Sequence, residues 1–83
     1  MPYITQEKRN NFMTGNGEIE NPGDLNFVLT KVCLEYLENK SESYQAYNDI
    51  VGALECCKLE MYRRAVSPYE DAKIAVNGDV YSK

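Results

Sequence analysis

From Tyr44 to about Val66 the apolar residues Tyr47, Ile50, Leu54, Cys57 and Met61 recur at alternating intervals of three and four. That repeat is the seam of a helix packed against another helix. A helix of ~23 residues is ~35 Å long. The other firm helical run has only ~17 residues, so one such helix cannot cover the long one end to end. The excess calls for a second copy of the chain, and the expected assembly is a homo-dimer or homo-tetramer. Gly52, Ala53 and Cys56 lie on or beside the opposite side, where another backbone can approach closely.

The chain's size points the same way. Its 83 residues make one domain at most, in a range where one core is marginal and disulfides, a metal or oligomerisation usually help. Cys56 and Cys57 are neighbours, about 100° apart on a helix, and cannot bridge each other. With Cys33 they make an odd set without framework spacing, which reads as reduced thiols in a cytosol. Histidine is absent and there is no CxxC pair, so a metal site is poorly supported. No stretch approaches the ~20 apolar residues that span a bilayer. The Met1 to Glu7 segment lacks the basic-then-apolar pattern of a signal peptide. Localisation in the cytoplasm is therefore expected. Thirteen acids against nine bases give a net charge of −4, which disfavours a broad nucleic-acid surface but not a small anion held by a few cations.

The remaining elements follow from local signals. Thr5 can cap a short helix over Gln6 to Met13, ended by Thr14-Gly15-Asn16-Gly17. Residues 1–20 are expected as a flexible arm or a short helix. Asn21 is a good N-cap, Pro22 suits the first helical position, and Asp24 puts negative charge on the first turn. Leu25, Val28, Leu29, Val32, Cys33, Tyr36 and Leu37 then keep helical spacing until Asn39-Lys40. Phe27 and Leu34 widen that arc, so this helix should touch more than one neighbour. Ser41 to Ser43 supply the cap of the long helix. Ser67-Pro68-Tyr69-Glu70 reads as a capping box that opens a third, short helix, with the proline stopping or bending the long one. Asn77-Gly78 closes it, and Asp79 to Lys83 form a tail whose Val80 and Tyr81 could dock on the body. The expected fold is all-α: a small bundle of one medium, one long and one short helix, completed by homo-oligomerisation.

Chemistry-bearing residues concentrate on the long helix. Tyr47, Val51, Leu54, Met61, Tyr62 and Ala65 share one face at ~100° per residue, with Lys58 in its middle. Lys58 either snorkels outward or pairs with Glu55 or a partner's acid, or it lies in an interface pocket among tyrosine rings. In the second case it suits a ligand with a phosphate and a planar base. Arg63 and Arg64 are either solvated surface matched by Glu60 or Glu70, or a bidentate clamp for an anion. Lys8 and Arg9 on the arm could close over the same ligand. Seven of nine aromatics are tyrosines, which serve equally as interface rims and as stacking platforms. Without histidine, Ser–His and Cys–His nucleophiles are impossible. Glu55, Glu60, Glu70 and Asp71 could hold magnesium, but Glu55 and Glu60 are five apart and point to different sides. No catalytic residue, metal or cofactor is expected.

The segments Asn21-Pro22-Gly23-Asp24-Leu25-Asn26-Phe27, Leu34-Glu35-Tyr36-Leu37 and Tyr44 through Tyr81 resemble a small, widely spread family of short phage and bacterial proteins of unknown function. Within the last stretch the likeness rests on residues 48–55, Tyr62-Arg63-Arg64, Pro68-Tyr69-Glu70-Asp71 and Asn77-Gly78-Asp79-Val80-Tyr81. Small size and phage association are also similar to those of viral sponge proteins, which oligomerise and sequester cyclic-nucleotide signals of bacterial immunity. That likeness carries no motif over residue by residue. It implies a non-catalytic homo-oligomer that binds an anionic nucleotide, which agrees with the Lys58–tyrosine face; the candidate ligand-binding residues read from the chain itself are Tyr47, Lys58, Tyr62, Arg63, Arg64, Lys8 and Arg9. The alternative is a small protein-interaction module that inhibits or adapts a host protein.

Overall fold

The computed structural model describes residues 4–81, all helix, turn and loop, with no strand among them. The elements are α1 (Gln6–Met13), α2 (Pro22–Lys40), α3 (Tyr44–Met61), a π-helical turn (Tyr62–Val66) and α4 (Ser67–Asn77). The chain falls into two compact units, Met1–Tyr47 and Asn48–Lys83.

In the first unit each helix starts where a side chain replaces a missing backbone partner. Thr5 Oγ1 accepts from the Lys8 N–H at 3.2 Å, and Asn21 Oδ1 accepts from the Asp24 N–H at 2.9 Å. Ser43 Oγ accepts from the Ala46 N–H at 3.0 Å at the head of α3. Such caps each contribute about 1 kcal/mol. The first twenty residues thus contain the short helix, and α1 packs against the start of α2. The Phe12 and Phe27 rings lie 5.7 Å apart, inclined by 37°. Gly17 lies so close to Phe12 that a Cβ there would come within 3 Å of its ring carbons Cγ, Cδ1 and Cε1. The turn from α2 to α3 passes through Ser41, whose φ of 68° is left-handed without being glycine.

The second unit departs from expectation at Ser67. No capping box forms: Val66 (φ −69°, ψ −47°) and Ser67 (φ −62°, ψ −47°) are both right-handed helical, without a side-chain cap. Instead the Ser67 N–H reaches back to the Tyr62 carbonyl, five residues away. In a regular α-helix Pro68 would offer no N–H and press its ring on the Arg64 carbonyl. The extra residue in the preceding turn absorbs that conflict, so the helix runs on through the proline. Tyr44–Asn77 is therefore one helical rod of 34 residues, roughly 50 Å long at 1.5 Å per residue. It ends where Gly78, at φ 87°, donates its N–H to the Ile74 carbonyl at 2.8 Å. The tail beyond is exposed at Val80 and Tyr81, and Ser82 and Lys83 lie outside the described residues.

Burial is sparse. Ala46 is the one buried apolar residue among those described, and Asp24 the one buried charged residue. From Val51 to Ala65 every residue is exposed, the apolar Leu54, Leu59 and Met61 included. No helix of the described residues is long and apolar enough to cross a membrane.

Candidate functional site

Two groups of polar side chains stand out, one in each unit. In the second unit Lys58, Arg63 and Arg64 are held by glutamates one turn away. Lys58 Nζ lies 3.2 Å from Glu55 Oε1. Glu60 takes both arginines, Arg63 at 3.0 Å and Arg64 at 3.5 Å. All five side chains are more than half exposed, so each pair stabilises by at most about 1 kcal/mol and is readily exchanged for another anion. Tyr62, between Lys58 and the arginines in sequence, is 55% exposed. Glu60 draws Arg63 and Arg64 to one spot, while Lys58 is anchored separately by Glu55. At the head of α3 the Tyr47 hydroxyl donates to Glu42 Oε2. That hydrogen bond to the carboxylate, with burial and the carboxylate's charge adding to it, raises the phenol's pKa above its ordinary value. Tyr69 on α4 carries Lys73 over its ring at 5.5 Å.

The group in the first unit is tighter. Lys8 Nζ donates to Asp24 Oδ2 at 2.5 Å and lies 3.0 Å from Glu20 Oε1. The Glu20 N–H donates to the same Asp24 oxygen at 3.0 Å. The Lys8 hydrogen bond, supported by the Glu20 N–H, holds the Asp24 carboxyl below its usual range although burial opposes this. Asp24 and then Glu20 in turn raise the Lys8 ammonium above its ordinary value. Asp24 Oδ1 and Arg9 Nε are buried without a protein partner. Arg9 instead reaches Gln6 Oε1 at 2.5 Å with its terminal nitrogen. Beside this network lies a cavity of about 210 Å³, lined by Lys8, Asn11, Phe12, Asn16, Gly17, Glu18 and Glu20.

Of the residues singled out from sequence, Lys58, Tyr62, Arg63 and Arg64 belong to the second unit, and Lys8, Arg9 and Tyr47 to the first. Neither unit holds both groups. Lys8 already has two carboxylates of its own chain, so closing over a ligand would mean surrendering them. Asp24 was legible only as a first-turn charge; its role as the buried partner of Lys8, sixteen residues away, leaves no local sequence signal. Of the four acids weighed for magnesium, Glu55 and Glu60 are engaged by the rod's own cations. No three acids, cysteines or histidines gather into a metal site among the described residues. Cys33, Cys56 and Cys57 are free thiols.

No curated protein and no solved structure matches the chain. A family model matches residues 1–80, nearly the whole sequence, and takes in the segments on which the resemblance rested up to Val80. The chain belongs to the family described as "Domain of unknown function (DUF6899)".

Proposed function

We propose that this chain is a non-catalytic, self-assembling helical module that works by binding, its rod completed by another copy of itself. The observation that carries the reading is the uninterrupted exposure from Val51 to Ala65, at residues whose spacing makes a helix seam. Covering a Val, Leu or Met side chain fully stabilises by about 1.5–3 kcal/mol, and contiguous exposed apolar surface marks an interaction site. The rod's length supports the same reading, because α2, with 19 residues, is roughly 29 Å long and can follow little more than half of it. Sedimentation equilibrium tests the proposal. Twice the chain's mass, or a higher multiple, is expected at micromolar protein; the mass of one chain at every concentration would refute it.

A second reading places a cyclic nucleotide between helices of adjacent copies, bound without turnover. What favours it is the cationic middle of the rod, Lys58, Arg63 and Arg64 with Tyr62 between them in sequence, whose ion pairs are exposed and exchangeable. Their cations would meet phosphates while Tyr47 and Tyr62 line the pocket. Calorimetry against a panel of cyclic dinucleotides and oligonucleotides should then give micromolar binding that Lys58→Ala weakens. Absence of heat and of competition would remove this reading and leave the module.

A further inference from the structure

The rod's exposed stripe carries an order that fixes how a second copy must lie on it. On α3 the stripe consists of Tyr44, Tyr47, Val51, Leu54, Lys58 and Met61, each exposed. Its intervals are three, four, three, four and three, so the stripe reads alike in both directions. We infer that two copies pair their α3 helices antiparallel along it, with the two-fold axis level with the midpoint of Val51 and Leu54. The inference rests on the self-assembly reading above.

That register sets Tyr44 against Met61, Tyr47 against Lys58, and Val51 against Leu54 of the other copy. Knobs from one helix then fall between those of the other along the whole of α3. Charge decides between the two possible directions. A parallel, in-register pair would stack Lys58 on Lys58 in the middle of an apolar seam, and like charges leaving water together are strongly disfavoured. The antiparallel pair brings each Lys58 instead to the Tyr47 hydroxyl and to the Glu42 carboxylate that accepts from it. The ammonium keeps an acid there even if Glu55, its present partner at 3.2 Å, is drawn to the rim. Glu42, just before α3, meanwhile comes level with Arg63 of the other copy, and Arg63 is held at present only by an exposed ion pair with Glu60. Opposed helix dipoles favour the same direction. The lone lysine in the seam thus selects orientation, as a single polar residue does in other helix pairs.

Cysteine cross-linking tests the register. In a background with Cys33, Cys56 and Cys57 replaced by serine, Tyr44→Cys and Met61→Cys chains, one carrying a mass tag, are refolded together and oxidised. In the antiparallel pair position 44 faces 61, whereas each position lies about 25 Å along the axis from its own counterpart, beyond the ~7 Å Cα span of a disulfide. Mixed tagged–untagged disulfides should outnumber like pairs at least tenfold. Predominance of like pairs, or an oligomer by sedimentation with no cross-link of either kind, would overturn the antiparallel register while leaving self-assembly standing. A single-chain mass in the same background and in the unaltered protein would overturn both.

Discussion

Replacing Gly17 by alanine should destabilise the first unit, even though its φ is not left-handed and alanine fits that backbone. The added methyl would come within 3 Å of three Phe12 ring carbons, where ordinary carbon contacts are about 3.5–4.0 Å. The ring must therefore retreat by roughly 1 Å, and Phe27, 5.7 Å away centre to centre, limits where it can go. Overpacking of this kind costs about 1–3 kcal/mol, and a disturbed aromatic pair gives up part of its about 0.5–1.5 kcal/mol. Against this, a Gly→Ala change gains about 0.4–1 kcal/mol by restricting the unfolded chain. The net expectation is a loss of about 1–2 kcal/mol, or a fall in Tm of about 4–8 °C per kcal/mol. Urea unfolding followed by circular dichroism, at one fixed protein concentration, measures it. The decisive control is the Phe12→Ala background, where the methyl meets no ring and the same Gly17→Ala change should be neutral or stabilising. If Gly17→Ala is stabilising with Phe12 present, or equally harmful without it, the closure of the Gly17 turn over Phe12 is not what holds this corner.

Two further outcomes follow from the first unit. Ser41→Gly should raise stability by about 1 kcal/mol, because a non-glycine residue at φ 68° is strained; an unchanged or lower urea midpoint would count against it. Asp24, held below its unfolded value near 3.9, contributes stability that is complete above that pH and is lost as pH falls through the lower folded value. Lys8, raised in the fold, contributes below its unfolded value and loses that contribution as pH rises through the higher folded one. Asp24→Asn should therefore flatten the acid limb of a Tm-against-pH series below about pH 4. An acid limb identical to the unaltered protein's would show that the Lys8–Asp24 contact is not maintained in solution.

What could be read from the sequence was what local chemistry decides. Thr5, Asn21 and Ser43 each cap a helix through a backbone N–H three residues ahead, and Gly78 ends the rod. Glu55 for Lys58 and Glu60 for the arginines likewise lie one turn away. Ser67-Pro68-Tyr69-Glu70 misled because the same four residues suit a fresh helix start and an internal proline. Which one occurs depends on whether the Tyr62 carbonyl can wait five residues for its donor, and no residue type announces that. The Lys8–Asp24 pair escaped for the opposite reason: it is a tertiary contact between α1 and α2. The sequence shows Lys8 only as a cation on the arm, and its contact with the head of the next helix is set by tertiary packing.

If the rod finds its core in a second copy of the chain, as proposed, folding and association should be one process. Thermal unfolding followed by far-ultraviolet circular dichroism over a hundredfold dilution series tests this directly. Tm should fall steadily with dilution, and helical signal should be lost at the most dilute end. A Tm independent of concentration, with full helicity retained in a single-chain species, would contradict it.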